Sequence, residues 1–331
     1  MVETPMKPKT RRYPSLFAIR YLLFALLLLT ACAPKPLLRP NGVAVAPDGS
    51  VYVMDRGNYR IVHFSAAGKV LGTFGKFGVG PSDLHTGWDT ALDSQGNIAV
   101  CNFILSSEGD LIHDGVRVFS PNGQFIREVG GQDYLNTELP TEKPYGLDID
   151  TQDRLYIVGF NTNTLRIFNA EGNLLGVFFG EVGSAAGQFN GINDVAVDDT
   201  RDFVYLSDNI NSRIQQFTLD FTAEGVPTLT YRNSFGEYGD GPAQLAYPQG
   251  LAVDEVTGRL YVADNANRRI QSFDPEGRLI ASIAPPNIEL WQVLQLAVGP
   301  DGAVYATDGY NNVAWVFGAD GAVRQTLEVT P

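Results

Sequence analysis

The chain has 331 residues and a formal net charge of -13, from 24 Lys+Arg against 37 Asp+Glu, with 44% hydrophobic and only 18% charged residues. Apolar content this high with so few charges belongs to a folded globular protein, not a disordered one. The acidic balance counts against nucleic acid or an anionic lipid surface as partner, and three His with two Cys leave little room for a zinc cluster or a disulfide framework. The amino terminus carries Lys7, Lys9, Arg11, Arg12 and Arg20 ahead of the apolar run Tyr21 to Leu29. A basic segment before a short apolar one is the pattern of a secretory signal. The run is shorter than the roughly 20 apolar residues that a spanning helix needs.

The run ends Leu29-Thr30-Ala31-Cys32, which resembles the lipobox of bacterial lipoproteins. That resemblance implies a signal peptide over 1–31, cleavage before Cys32, lipidation of its thiol, and a short tether over 32–38. The protein is then expected on the cell envelope, lipid-anchored and facing away from the cytoplasm. Ala33, where retention at an inner membrane would need Asp, implies the outer membrane in a two-membrane host. An ordinary signal with Cys32 incidental is the alternative. Removing 1–31 takes away five basic residues and Glu3, leaving a body of charge -17. Cys101 is then the remaining thiol; in Ile98-Ala99-Val100-Cys101 it reads as a small core residue, not a nucleophile.

The rest of the chain repeats. Val43-Ala44-Val45, Thr90-Ala91-Leu92, Leu147-Asp148-Ile149, Val195-Ala196-Val197, Leu251-Ala252-Val253 and Leu296-Ala297-Val298 align, spaced 47, 57, 48, 56 and 45 residues apart. Periods of this size with four strand-like runs per copy signal a propeller. In the fifth copy, strand a is Gln249 to Val253, strand b Leu260 to Ala263, strand c Arg269 to Phe273 and strand d Arg278 to Ile283. Gly, Pro, Asn or Asp bounds each run.

The segments "PQGLAVD" and "RLYVADNANRRIQSF" and the linker "FGEYGDGPAQL", echoed at Phe74 to Leu84 and Phe179 to Phe189, resemble the NHL-repeat family. The resemblance covers about residues 39–329. It implies an all-β chain with one six-bladed β-propeller over 39–331, each blade a four-stranded antiparallel sheet. The copies begin at strand a and end at strand d, so the ring is expected to close by apolar packing with no borrowed strand.

Asp55, Asp208, Asp264 and Asp308 each stand three residues before an Asn in the b–c turns. They are expected to accept backbone N–H bonds in their own turns, as Asx turns do. Asn102 replaces the Asp in the second copy, and the third copy's turn, Gly159 to Thr164, is two residues longer. In propellers of this type strand a lines the channel, and the b–c and d–a loops share a face. Asn41, Trp88, Tyr145, Asn193, Gln249 and Leu294 are therefore expected to ring the channel mouth, with Arg56 nearby. Two aromatics with three amides suit a glycan, a peptide or another neutral or zwitterionic ligand. A ten-residue insertion between Asn102 and Arg117 brings Glu108, Asp110, His113 and Asp114 to the same face, where loops on a rigid scaffold commonly bind. The segment Gln132 to Pro144 adds to it. The fourth copy's extra residues, Asp220 to Thr228, fall on the opposite face.

The NHL fold also houses the lyase that cleaves peptidyl-α-hydroxyglycine, whose zinc is held by His residues opening several strands a. Here those places hold Asn41, Tyr145, Asn193 and Gln249. Arg56 matches that lyase's catalytic Arg, but the zinc-activated base has no home. A calcium-dependent lactonase- or lyase-like enzyme is the alternative, with Asp89, Asn193 and Asp194 as the metal donors available. RNA reading, known for TRIM-type NHL domains, needs a basic face that a body of -17 lacks. The favoured expectation is a non-catalytic binding or scaffold module for a glycan, peptide or protein, with no cofactor unless Ca²⁺.

Overall fold

The computed structural model describes residues 35–105, 108, 111–130, 143–285 and 288–329. The signal segment, Cys32 and Asp110 lie outside them, as do the side chain of His113 and residues 131–142. Twenty-four strands, from β1 (Pro40–Val45) to β24 (Val323–Leu327), form six four-stranded antiparallel sheets, each of four consecutive strands. All lie in one compact unit, residues 37–328. This is a six-bladed propeller.

The fifth blade shows why its residues adopt these roles. Strand a is β17 (Pro248–Asp254), strand b β18 (Arg259–Asp264), strand c β19 (Arg269–Phe273) and strand d β20 (Leu279–Ile283). A neighbouring blade covers both faces of strand b, so Leu260-Tyr261-Val262-Ala263 is an unbroken buried run. Strand d is the outer edge, and Ile280, Ala281 and Ser282 are exposed. Apolar clusters join successive blades: Tyr156, Val158 and Ile167 of the third pack with Val195, Val197 and Leu206 of the fourth.

At the mouth end of every strand a, pairing with strand b slips. In the first blade Pro40 pairs with Asp55 and Val43 with Val53, so two residues oppose one. The same slip spans Gly87/Thr90, Ile192/Val195, Pro248/Leu251 and Val293/Leu296; in the third blade one residue, Tyr145, is extra. A bulge re-aims side chains. It breaks the period-two alternation at the positions expected to ring the mouth.

The ring closes without a borrowed strand, as expected, but apolar packing is not alone. Thr307 Oγ1 of the sixth blade donates to the Asn41 carbonyl of the first, and Arg39 N donates to Asn312 Oδ1 at 2.7 Å. The b–c aspartates are structural, yet most of their partners differ from those expected. Asp55, Asp208, Asp264 and Asp308 accept the backbone N–H of the incoming segment at Leu38, Asn190, Ala246 and Trp291. Each also takes the side-chain amide of the Asn three residues on. Of the four, Asp308 alone also accepts N–H groups of its own turn. An Arg five residues on, Arg60, Arg213 or Arg269, pairs with the first three at 2.7–2.8 Å. Asn102 does the same linking work in the second blade, accepting from His85 N.

The second-blade insertion is largely strand and not loop. It lengthens β6 (Ile98–Leu105) and β7 (Leu111–Phe119), with Phe103 opposite Asp114 and Leu105 opposite Leu111. The fourth blade's extra residues likewise extend β15 (Arg213–Phe221) and β16 (Pro227–Phe235), pairing Asp220 with Thr228.

Candidate functional site

The mouth residues divide into two sets. Asn41, Asn193 and Leu294 are buried and offer little to a ligand; Trp88, Tyr145 and Gln249 are half-buried. Trp88 and Tyr145 meet at 4.5 Å between ring centroids, and Tyr145 stacks on Phe160 at 5.2 Å. Phe103 lies 6.3 Å from Tyr145, with Lys143 over its outer face. The guanidinium of Arg56 sits 4.2 Å over the Trp88 ring. Cation and aromatic face attract in this geometry.

Local sequence explains the shelf. Arg56 opens a single 3₁₀ turn, Arg56–Asn58, after β2 (Val51–Asp55). Glycines let the rings approach: an ideal Cβ on Gly87 would stand 2.1 Å from Met54 Cε, and one on Gly191, at φ +81°, 2.7 Å from the Phe160 ring. Burial pushes the Arg56 pKa down from its ordinary value, with Tyr145 opposing and Arg39 adding to the shift; a guanidinium stays charged throughout the accessible range. Burial likewise pushes the Tyr145 hydroxyl up, against the pull of Arg56. Among the described residues no carboxylate forms an ion pair with Arg56. The ring expected to be uncharged thus has a cation laid across it. Phe160 and Phe103 were not anticipated; the longer third-blade turn and the second-blade insertion that carry them were the available signals.

Deeper in the channel, the residue after each ring position alternates around the ring: Gly42, Asp89, Gly146, Asp194, Gly250, Gln295. Each glycine makes room for its neighbour. An ideal Cβ on Gly146 would stand 2.2 Å from Asp194 Oδ1, and on Gly250 2.3 Å from Gln295 Oε1. Strand b answers in step. Ser207 Oγ accepts from Asp194 N at 2.8 Å and Thr307 Oγ1 from Gln295 N at 3.1 Å. Cys101 stands at the corresponding place beside the Asp89 backbone, where burial pushes its thiol well up. It is buried in the apolar cluster of the second and third blades.

The carboxylates also tie blades together. Asp89 Oδ2 accepts from Leu147 N, Asp148 Oδ2 from Val197 N, and Asp194 Oδ2 from Leu251 N, at 2.7–3.0 Å. Burial raises the Asp89 and Asp148 pKa values to about 7, against the backbone hydrogen bonds that lower them. Asp194 is raised as well, first by burial and then by the charge of Asp89. Below this belt the channel opens into a cavity of about 680 Å³ toward the a–b turns, on the face opposite the mouth.

Calcium takes six to eight oxygen ligands. Asp89, Asn193 and Asp194 offer two carboxylates and an amide, and among the described residues no group of three or more His, Cys, Asp or Glu stands close enough to hold a metal ion. The donor set does not fit calcium.

The six four-stranded blades make a six-bladed β-propeller, and the comparisons with known proteins find NHL-repeat likeness in it. An NHL repeat model matches residues 37–64, and the SMP-30/Gluconolactonase/LRE-like region model matches 177–301. Human NHL repeat-containing protein 3 is 31% identical over 215 residues, 58% of this chain and 56% of that one. Rat peptidylglycine alpha-amidating monooxygenase is 30% identical over 210 residues, 55% of this chain and 20% of that one. The chain spans about half the length of the NHL repeat-containing relatives it matches. A gluconolactonase structure from Xanthomonas campestris superposes with TM-score 0.57 at 15% identity, covering 82% of this chain and 84% of that one, a likeness of fold.

Proposed function

We propose that the protein is a membrane-anchored extracytoplasmic lipoprotein whose propeller is a non-catalytic binding or scaffold module, taking a peptide, protein or glycan at its mouth face. The observation that carries this is the Arg56–Trp88–Tyr145–Phe160 stack, a half-buried cation on an aromatic shelf. Stacking surface beside a guanidinium fork suits a ligand with a flat or apolar body and an anionic or acceptor group. An acidic protein with a cationic patch at its channel mouth selects such a group over the cationic ligands its net charge would otherwise favour.

Arg56→Gln removes the charge and keeps the fold. In screens against immobilised glycans and displayed peptides, it is expected to lose capture at least tenfold, with the melting temperature within about 2 °C of the parent because Gln keeps most of the packing on Trp88. Undiminished capture by this variant would sink the mouth as the contact surface. Trp88→Ala is the poorer probe, because its ring also packs against the core between the second and third blades, and its loss should cost about 3 kcal/mol. For the anchor, metabolic labelling with a radioactive fatty acid is expected to mark the wild-type chain and leave Cys32→Ser unlabelled. Label on the variant would place acylation elsewhere.

The lactonase- or lyase-like alternative has the match over 177–301 in its favour. It needs a metal donor set that Asp89, Asn193 and Asp194 do not complete.

A further inference from the structure

The cavity on the face opposite the mouth has its own chemistry. Six carboxylates line it, Asp89, Asp148, Asp194, Asp254, Glu255 and Asp301, with no Lys, Arg or His among the lining residues. Apart from Thr90, the remaining wall is apolar, supplied by residues such as Val43, Val195, Ala252 and Leu296. Thr90 Oγ1, in a residue 3% exposed, is unsatisfied within the protein, and Asp194 Oδ1, in one 2% exposed, has no partner but the Asp89 carboxyl, with which it hydrogen-bonds only when a proton is shared. At the same level Gln295, also 2% exposed, leaves both side-chain amide atoms unpartnered. Unsatisfied buried acceptors cost free energy unless a ligand or water meets them.

We propose that this chamber binds a linear alkylammonium ligand, a diamine or polyamine, with one –NH₃⁺ at the belt of Asp89, Asp194 and Gln295 and its methylene chain along the apolar wall. A primary ammonium carries three donors. The large polar residues of the belt come from alternate blades, the second, fourth and sixth, and so repeat with the same three-fold order. The remaining carboxylates are spread from floor to rim and do not converge, which disfavours a metal ion and suits charges separated by methylenes. At the rim Asp301 is already held by Arg324 at 2.8 Å, and Asp254 by the Thr257 hydroxyl of its own turn. The Glu255 carboxylate accepts a backbone N–H of Asp199 but has no cationic or side-chain partner among the described residues, and is the rim group best placed for a second ammonium. Burial raises its pKa, and Asp199, Asp198 and Asp150 raise it further, so a bound cation relieves like-charge repulsion there.

Isothermal titration of the purified protein with spermidine, 1,6-diaminohexane, hexylamine and 1-hexanol tests this. The three amines are expected to bind and the alcohol not. Asp194→Asn, which keeps an acceptor for Leu251 N, should weaken all three amines at least tenfold. Glu255→Gln, at the half-buried rim, should weaken the diamine and spermidine while sparing hexylamine. Melting curves of both variants confirm folding. Heats that fall equally for every amine with added salt, with no effect of Asp194→Asn, would overturn the site in favour of attraction to an acidic surface. Displacement of the amine by micromolar Ca²⁺ would overturn it in favour of a metal. The same ammonium could come from a protein lysine; a blocked trilysine peptide that binds where spermidine does not would overturn the free-polyamine assignment.

Discussion

Asp264→Ala is expected to lower the unfolding free energy by about 3–5 kcal/mol, the cost of leaving a buried charge without its partner. Asp264 is fully buried and meets four groups, Arg269 at 2.7 Å, the side-chain amides of Asn267 and Gln271, and the backbone N–H of Ala246, and through them the linker from the fourth blade. Arg269 in turn donates to the carbonyls of Asp240, Gly241 and Gln244 in that linker. Deleting the carboxylate therefore unfastens a whole d–a linker. At about 2–4 °C per kcal/mol for a domain somewhat smaller than this one, the midpoint of thermal unfolding should fall by roughly 5–15 °C. Asp274→Ala is the control. Its partner Arg278 is exposed, and surface pairs contribute about 1 kcal/mol or less. Equal losses in the two variants would show that the hub is no stronger than a surface pair.

The fold was legible because propeller blades repeat their chemistry. Strand b reads as a buried run, the b–c Asp and the Asn beyond it recur, and the "FG…G…QL" linker recurs, so local pattern and global ring agree. The mouth was less legible. The residues opening the six strands a were expected to share one fate, but Asn41, Asn193 and Leu294 are buried while Trp88, Tyr145 and Gln249 are half-buried. The alternation of Gly42, Gly146 and Gly250 with Asp89, Asp194 and Gln295 is one of side-chain size at a single register position, which shows only once the pairing of strands a is known. Arg56 stood in a common turn motif. Its freedom from a carboxylate depends on residues far apart in sequence, which no local pattern reports.

The melting temperature is expected to rise by several degrees as pH falls from 8 to 5, the reverse of ordinary acid destabilisation. The cause is the trio of channel carboxyls. Burial raises Asp89 and Asp148 to about 7 and Asp194 above its ordinary value, whereas an unfolded Asp titrates near 3.9. The folded state therefore binds these protons more tightly than the unfolded state, and linkage makes stability fall with rising pH between those values. The contribution is complete below about pH 4 and lost as pH rises through about 7. For Asp89 and Asp148, three pKa units correspond to about 4 kcal/mol each as an upper bound. His63 and His85 work in the opposite direction: burial lowers their pKa values, so they withdraw stability as pH drops below about 6.5. Asp148→Asn separates the two. It removes one raised carboxyl, leaves both His residues, and keeps an acceptor for Val197 N. The pH-dependent gain should shrink measurably in this variant, as read by thermal unfolding at constant ionic strength. An unchanged slope would mean that Asp148 ionises freely in the folded channel. Because Asp89 and Asp194 share the belt, a bound ammonium that stabilises their ionised forms should also flatten the slope of the wild-type protein, tying the titration of the channel to its occupancy.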